Sequence, residues 1–236
     1  MAVSLAAGAS AWSVPALAPV VPVLAAALGV PLRTMSADAV AITFDDGPHP
    51  HGTPAVLDLL AAAGSRATFF LVGEQVRAFP SLAAEIVAAG HEVALHGDRH
   101  RTLLSLSRRA FADDIDRGTA IISELAGAVP VLHRPPFGIY SWPALGVLEQ
   151  RALSPLLWSR WGRDWSARAT EASITRRVTR DLSAGDVLLL HDADWYSDAE
   201  CWRGTVAALP RVLDAIELRG LRATAVSEAG TSGRLE

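Results

Sequence analysis

The sequence predicts an α/β fold in which one domain is built around a parallel sheet of about seven strands. Apolar runs of strand length alternate with segments of helical periodicity from Val40 to the end of the chain. The chain has 236 residues, a length typical of one domain, and half of them are hydrophobic, which is enough for a large core. Strands that alternate with helices form right-handed βαβ units, and such units give a parallel sheet.

The predicted strands cover residues 40–44, 67–72, 91–95, 131–132, 156–158, 186–190 and 221–226. Three of the helices between them begin at residues suited to capping a helix N-terminus, which are Thr53, Ser107 and Thr170. Pro210 falls inside the last helix, which we expect to bend or restart there. The strand spacing is that of a barrel, and parallel α/β barrels place their active sites at the C-terminal ends of the strands.

The charge composition argues against a nucleic-acid partner. The formal net charge is −4, and the 21 basic residues, all of them arginine, form no basic run. The single cysteine, Cys201, excludes an internal disulfide. No pattern indicates an oligomer, so a monomer is the default expectation.

The first 32 residues contain no charged side chain. This length is typical of an export signal or membrane anchor, so residues 1–32 predict membrane association. No basic residue precedes the apolar run, however, and Pro15, Pro19 and Pro22 interrupt it. A lid packed on the domain and a misassigned start of the chain therefore stay open as alternatives.

Two adjacent carboxylates, Asp45 and Asp46, follow the first predicted strand and precede a Gly-Pro turn. Adjacent residues that leave a strand point in different directions, so one could bind a metal while the other faces a substrate. An aspartate-rich turn without further function is the alternative.

Two histidines, His96 and His100, are four residues apart and can share one metal on a single helical turn. With a carboxylate from another strand end they form a set of two imidazoles and one carboxylate. Such a set suits Zn²⁺ with an open coordination position, and it also suits non-haem Fe(II).

Three later segments add polar groups at strand ends. Arg134 opens a loop with two prolines and Phe137, and we expect a buried arginine there to pair with a carboxylate. His191 ends an apolar strand and could be a general acid that Asp164 orients. Trp165 and Leu189 could form a small apolar pocket.

Other polar residues are expected to be solvated. His49 and His51 flank Pro50 in a loop. A cluster of three aspartates after His191 is predicted to be an acidic loop in solvent or an edge that contacts substrate, and its members are Asp192, Asp194 and Asp198.

Taken in order, these segments resemble the polysaccharide deacetylase family, also called the NodB-homology domain or carbohydrate esterase family 4. Residues 43–48 read TFDDGP, and residues 96–100, from His96 to His100, resemble the family's two-histidine motif. The RPPFG segment at 134–138 resembles its arginine-proline loop, and Asp164-Trp165 and Leu189-Leu190-His191 resemble its last two motifs. The resemblance covers residues 38–228.

The resemblance implies a distorted (β/α)7 barrel and a role for each matched residue. It implies Asp46, His96 and His100 as metal ligands, with zinc the leading metal and cobalt, nickel, manganese or iron as alternatives. It implies the remaining roles as follows: Asp45 as general base, Arg134 as the residue that tunes it, His191 as general acid, Asp164 behind it, Trp165 and Leu189 around the acetyl methyl group, and the Phe137 backbone N–H for the oxyanion.

Three positions depart from the family's usual pattern. Gly97 stands where a serine or threonine hydroxyl usually steadies the metal loop. Phe137 replaces a common tyrosine, and Trp161 stands where many members carry another aspartate. The last change is expected to reshape the substrate groove.

The resemblance implies a hydrolase that removes N-acetyl groups from an amino-sugar polymer, peptidoglycan or a chitin-like oligosaccharide. An O-acetyl esterase of the acetyl-xylan type, a small-amide hydrolase and a catalytically silent carbohydrate-binding domain are the alternatives. The expected organisation is an N-terminal segment at 1–36, a catalytic domain at 37–228 and a tail at 229–236. An extracytoplasmic location facing the cell wall is expected.

Overall fold

A computed structural model describes residues 12–126 and 129–230 of the chain, and a single curved sheet forms its centre. Within these residues the sheet has eight strands, and all their pairings are parallel. The strands are β1 (Ala39–Asp45), β2 (Thr68–Leu71), β3 (Glu92–Leu95), β4 (Leu132–His133), β5 (Ser154–Pro155), β6 (Arg160–Trp161), β7 (Val187–His191) and β8 (Arg222–Thr224).

Helices connect the strands, and two of the three predicted caps are found at helix N-termini, whereas Thr53 lies inside the helix Gly52–Ala62. The Ser107 hydroxyl accepts the Ala110 N–H at 3.2 Å, and Thr170 forms a capping box with Ser173. The helices are α1 (Pro22–Ala27), α2 (Gly52–Ala62), α3 (Gly73–Ala78), α4 (Pro80–Ala88), α5 (Arg108–Ala126), α6 (Trp142–Gln150), α7 (Glu171–Thr179) and α8 (Trp202–Glu217). The last helix runs through Pro210 without restarting.

The strand order confirms the predicted distorted (β/α)7 barrel in one domain. The order is β5-β4-β3-β2-β1-β7-β6, and β8 pairs with residues 39–41 at the start of β1. All residues of the central strands β1 and β7 are buried, as expected of parallel strands covered on both faces. Among the described strands, β5 and β6 do not pair with each other, so the barrel is open between these two strands.

One predicted strand is wrong, and it lies at this opening. Residues 156–158 were expected to form a strand, but the strands lie on either side of them, at β5 and β6. The backbone carbonyls of Leu156 and Leu157 instead accept hydrogen bonds from the Arg134 side chain. These carbonyls bond to the Arg134 side chain and not to a neighbouring strand, so the apolar run does not form a strand.

The described part of the N-terminal segment packs on the domain. Ala18, Ala25 and Val30 are buried in the common core, and the Leu157 N–H donates to the Pro31 carbonyl at 2.9 Å. Outward-facing side chains, such as Val23, are exposed. No helix within residues 12–126 and 129–230 is both long and apolar enough to cross a membrane. Such packing is what the lid interpretation predicts, while the export or anchor interpretation stays a prediction.

Candidate active site

The ends of four strands of the parallel sheet bring the predicted site residues together. Asp45 is the last residue of β1, and His191 is the last residue of β7. His96 directly follows β3, and Arg134 directly follows β4. Because the sheet is parallel, all four lie at the C-terminal edge of the barrel, where α/β barrels carry their chemistry.

Asp46, His96 and His100 form a compact set of metal-ligating groups. The Asp46 Oδ1 lies 3.3 Å from the His96 Nε2 and 3.4 Å from the His100 Nε2. This carboxylate oxygen is buried and has no hydrogen-bond partner. Zinc–nitrogen bonds of about 2.0–2.1 Å in a tetrahedral site separate neighbouring ligand atoms by roughly 3.3 Å. The residues therefore fit a divalent metal.

The protonation states of this set also suit a cation. Burial would raise the pKa of Asp46, but the close contact with His96 and the positive charges that the nearby imidazoles can carry lower that pKa to about 2. Burial lowers the pKa of His100 to about 4, against the opposing effect of the Asp46 charge. Near neutral pH this pair therefore offers an ionised carboxylate and a neutral imidazole, the forms that bind metals.

The two imidazoles are oriented by different means. The His96 Nδ1 bonds to the Arg134 carbonyl at 2.8 Å, which turns its Nε2 toward Asp46. The His100 ring is instead held by aromatic packing. It stacks on Tyr196 with ring centroids 4.1 Å apart and an interplanar angle of 8°, and the Phe137 ring meets it edge-on at 4.5 Å.

Asp45 is fixed by the buried Arg134, as the sequence predicts. The Arg134 Nη1 donates to the Asp45 Oδ1 at 2.7 Å and to the Thr43 Oγ1 at 2.7 Å. Its remaining donors reach the carbonyls of Leu156, at 3.3 Å, and Leu157, at 2.9 Å. The guanidinium also lies 4.0 Å from the centre of the Phe70 ring. The other Asp45 oxygen, Oδ2, is left to face the metal ligands, 3.9 Å from the His96 Nε2.

His191 is held by Asp164 in the manner expected of a general acid. Asp164 Oδ1 lies 2.9 Å from the His191 Nδ1, and Oδ2 accepts the His191 backbone N–H at 2.7 Å. The Thr205 hydroxyl donates to the same Oδ2 at 2.6 Å. Burial would lower the pKa of His191, but the charge and hydrogen bond of Asp164, with the charges of Asp46 and Asp45, raise it to about 10. His191 is therefore protonated near neutral pH.

The apolar residues lie beside His191. Leu189 precedes it by two residues on β7, so both side chains point to the same face of the sheet. The Trp165 ring meets the His191 ring edge-on at 5.9 Å. Trp161, one of the departures, stacks on Trp158 at 5.9 Å and lies tilted against Trp165 at 5.2 Å. An aromatic row therefore lines this side of the site where a carboxylate is common.

The arginine-proline loop carries Phe137 in a strained backbone conformation. Its φ of 60° lies in the left-handed region, which non-glycine residues adopt rarely. Gly138 follows with a φ of 70°, and a side chain there would collide with the Trp158 ring 2.4 Å away. The loop is thus fixed in shape next to His100, and the role of the Phe137 N–H stays a prediction.

Two residues that we expected to be solvated are buried. Asp192 is inaccessible, accepts a hydrogen bond from the Thr53 hydroxyl, and has its pKa raised to about 7 by burial. His49 is only 6 % exposed, accepts the Gly52 N–H at 3.0 Å and pairs with Asp194 at 3.2 Å. The prediction is wrong for both because the loop after β1 packs tightly against the loop after β7.

A weak sequence signal pointed to the burial of Asp192. Asp192 directly follows a continuous apolar strand, the position at which the other site residues also lie. Tyr196, which orients His100, had no recognisable signal because its partners come from other loops.

Comparison with known proteins agrees with this geometry. The sequence model of the family described as polysaccharide deacetylase matches residues 33–154. A peptidoglycan-N-acetylglucosamine deacetylase of Bacillus cereus is 35% identical over 192 residues, which is 80% of this chain and 86% of that protein. A chitooligosaccharide deacetylase of Sinorhizobium fredii is 36% identical over 197 residues, 81% of this chain and 91% of that protein.

The fold also matches a solved structure closely. The Bc1960 peptidoglycan N-acetylglucosamine deacetylase superposes with a TM-score of 0.80 and 28% identity, covering 86% of this chain and 94% of that one. The family model includes the positions of Asp45, Asp46, His96, His100 and Arg134. This chain is a member of the polysaccharide deacetylase family.

Proposed function

We propose that this protein is a metal-dependent hydrolase that removes N-acetyl groups from an amino-sugar polymer and releases acetate. One observation carries the proposal: the ligand set of Asp46, His96 and His100 lies beside a fixed carboxylate, Asp45, whose register partner on the neighbouring strand is a protonated imidazole, His191. Amide hydrolysis needs a base for the attacking water and an acid for the leaving amine. Asp45 on β1 and His191 on β7 are suited to these two roles, and their strands are adjacent.

The proposed mechanism divides the chemistry among these residues. Asp46, His96 and His100 would hold a divalent cation, which would polarise the scissile carbonyl and acidify the attacking water when bound. Asp45 accepts the proton of that water, and Arg134 keeps its carboxylate in position. The Phe137 N–H donates to the developing oxyanion. His191 then protonates the leaving nitrogen, while Leu189 and Trp165 surround the acetyl methyl group.

Zinc is the metal we propose. Its preference for nitrogen ligands and tetrahedral geometry agrees with two imidazoles, one carboxylate and ligand separations of 3.3 and 3.4 Å. Iron(II) accepts the same ligand types. Elemental analysis of the purified protein, followed by chelation and reloading with zinc, cobalt, nickel, manganese or iron, identifies the metal that supports the highest rate.

The proposed substrates are glycans with N-acetylglucosamine units. The names of the two relatives specify peptidoglycan N-acetylglucosamine and chitooligosaccharides, and both proteins align over about four fifths of this chain. The half-buried rings of Trp161 and Trp165 also suit a sugar, because pyranose rings pack on aromatic faces.

An acetate-release assay on three substrates tests the proposal. Release from an N-acetylglucosamine oligomer or from peptidoglycan supports it. Release from acetyl-xylan alone would replace it with an esterase, and glycan binding without release would replace it with a binding domain. The variant His191→Ala serves as the control for acetate from contaminating enzymes.

We further propose that the protein acts outside the cytoplasm on the cell wall. The uncharged run at residues 1–32 supports this proposal, since it has the length of an export or anchoring segment. Cell fractionation with an antibody to the folded domain tests it, and recovery of all the protein in the soluble cytoplasmic fraction would contradict it.

A further inference from the structure

The loop between the two metal-ligating histidines is held by buried acidic residues that no part of the proposed mechanism uses. Asp98 lies inside this loop, and Asp114 lies on α5. Both are only 2 % exposed. Burying a carboxylate is unfavourable unless it is paired and hydrogen-bonded, so two together require an explanation.

Asp114 binds the backbone of the loop directly. Its Oδ2 accepts the Asp98 backbone N–H at 2.8 Å, and its Oδ1 accepts the Arg101 guanidinium at 2.6 Å. It therefore links the residue two after His96 with the residue directly after His100. A single carboxylate spans the segment that separates the two ligands.

Asp98 joins the same loop to two helices. Arg77 on α3 donates to its Oδ1 at 2.5 Å, and Arg117 on α5 donates to its Oδ2 at 3.1 Å. The first two N–H groups of α3 also reach the loop, since Gly73 donates to the Gly97 carbonyl and Glu74 to the Asp98 carbonyl. The loop is thus fixed from both of its sides.

Gly97 makes this close packing possible. Its φ of 90° favours glycine, and a side chain there would lie 3.1 Å from the Asp114 Oδ2 and 3.2 Å from the Arg99 carbonyl. The Asp114 carboxylate therefore occupies the space beside residue 97. Residue 97 has no hydroxyl to hold the loop, and the Asp114 carboxylate on α5 accepts a hydrogen bond from the loop instead.

The consequence for the ligands follows from how each is held. His96 is fixed by its own hydrogen bond to the Arg134 carbonyl. Within residues 12–126 and 129–230 no hydrogen bond to the His100 ring nitrogens is formed, and its ring rests on Tyr196 and Phe137. The separation of the two Nε2 atoms therefore depends on the backbone between them, which Asp114 and Asp98 hold.

We propose that Asp114, acting with Asp98 and the three arginines, is a positioning residue that sets the metal affinity of the site by holding His100 at ligating distance from Asp46. This inference rests on the proposed metal site. Partners that orient metal ligands typically contribute about 10–100-fold to metal affinity. The effect of Asp114 should therefore appear in the dissociation constant of the metal before it appears in the rate at saturating metal.

The test compares Asp114→Ala with a matched control on the same helix. Asp116 pairs with Arg151 in an exposed position on α5, so Asp116→Ala removes a carboxylate that does not touch the loop. The dissociation constant for Zn²⁺ is measured on metal-free protein by competition with a chromophoric chelator. We expect Asp114→Ala to weaken zinc binding about 10-fold or more, and Asp116→Ala to leave it within about twofold.

The outcomes separate positioning from a general loss of stability. A merely structural role would lower the unfolding temperature of the metal-free protein yet leave the dissociation constant of the folded protein unchanged, and that result overturns the inference. If Asp114→Ala does not fold, Asp114→Asn decides the matter. It keeps the shape and an acceptor but loses the charge, so we expect zinc binding to weaken several-fold.

The wild-type protein provides the remaining distinction. If it binds no zinc in the titration, the proposed function fails and the inference falls with it. If it binds zinc and both Asp114 variants bind equally well, only the inference fails. The rate at saturating zinc should stay within a few-fold of wild type in the Asp114 variants, because Asp45 and His191 are untouched.

Discussion

Asp45 and His191 are register partners in the parallel pair of β1 and β7. Their Cα atoms are therefore held at the spacing of neighbouring strands, about 4.8 Å. Since β1 and β7 are buried along their whole length, neither residue can shift without moving the core. The proposed base and acid thus have a separation that the sheet fixes before any substrate binds.

Substitution of the two adjacent aspartates should have different effects on metal content and on rate. Asp46→Asn replaces an anionic ligand with a neutral amide, so the metal content should fall and excess zinc should restore part of the activity. Asp45→Asn keeps all three ligands, so the metal content should stay near one per chain while the rate falls by about 10²–10⁴-fold. Elemental analysis and acetate release, with and without added zinc, measure both effects.

The opposite pattern would exchange the two roles. If neither change affected metal content, the carboxylate ligand would lie elsewhere, and the buried Asp192 would be the next residue to test.

The alkaline limb of the pH–rate profile should depend on Asp164. The pKa of His191 is raised to about 10, so the acid form persists above the ordinary imidazole range and is lost as the pH rises through that value. Asp164→Asn removes the charge that raises this pKa most, so the limb should move to lower pH by about 1–3 units.

A matched control uses the hydroxyl that also bonds Asp164. Thr205→Val removes that hydrogen bond but keeps the carboxylate charge, so its alkaline limb should move much less. kcat is measured from pH 5 to pH 11 at saturating metal. If the alkaline limb falls at the same pH in wild type and in Asp164→Asn, the proton donor is another group.

Removal of the buried arginine should destabilise the fold. Arg134→Met leaves Asp45 buried without its partner, and breaking a buried ion pair in this way costs about 3–5 kcal/mol. Arg151→Met breaks the exposed pair with Asp116 and should cost no more than about 1 kcal/mol. Urea denaturation gives both free energies of unfolding. If Arg134→Met and Arg151→Met lower the free energy of unfolding by a similar small amount, the structural role of Arg134 is contradicted.

The N-terminal segment should contribute to stability but not to chemistry. A chain that begins at Thr34 loses the buried side chains of Ala18, Ala25 and Val30, worth about 2–4 kcal/mol of apolar burial. Its Tm should fall, while kcat on a soluble oligomer stays unchanged at a temperature where both chains are folded. A folded but inactive truncated chain would place the segment in the site.

The strand ends of the site could be read from the sequence because each is a local pattern. The runs before Asp45 and His191 are apolar along their length, and the polar residue that follows each run marks the edge of the sheet. The partner of Arg134 was predictable for the same reason, since a buried guanidinium needs a carboxylate nearby.

Contacts between loops could not be read in this way. The burial of His49 and Asp192 depends on the loop after β1 meeting the loop after β7, more than 140 residues later. The stacking of Tyr196 on His100 joins the same loop after β7 to the loop after β3. Such contacts depend on which loops meet in three dimensions and not on sequence periodicity. A buried acidic loop and a solvated acidic loop therefore look alike in sequence.

The unpaired edge between β5 and β6 has a consequence for redesign. In a closed barrel the carbonyls of Leu156 and Leu157 would be consumed by pairing with a neighbouring strand. Here they are free to accept from Arg134, which in turn holds Asp45. An engineer who completed the barrel to gain rigidity would deprive the buried Arg134 guanidinium of two of its four acceptors. The opening between β5 and β6 and the proton-accepting carboxylate therefore have to be kept or altered together.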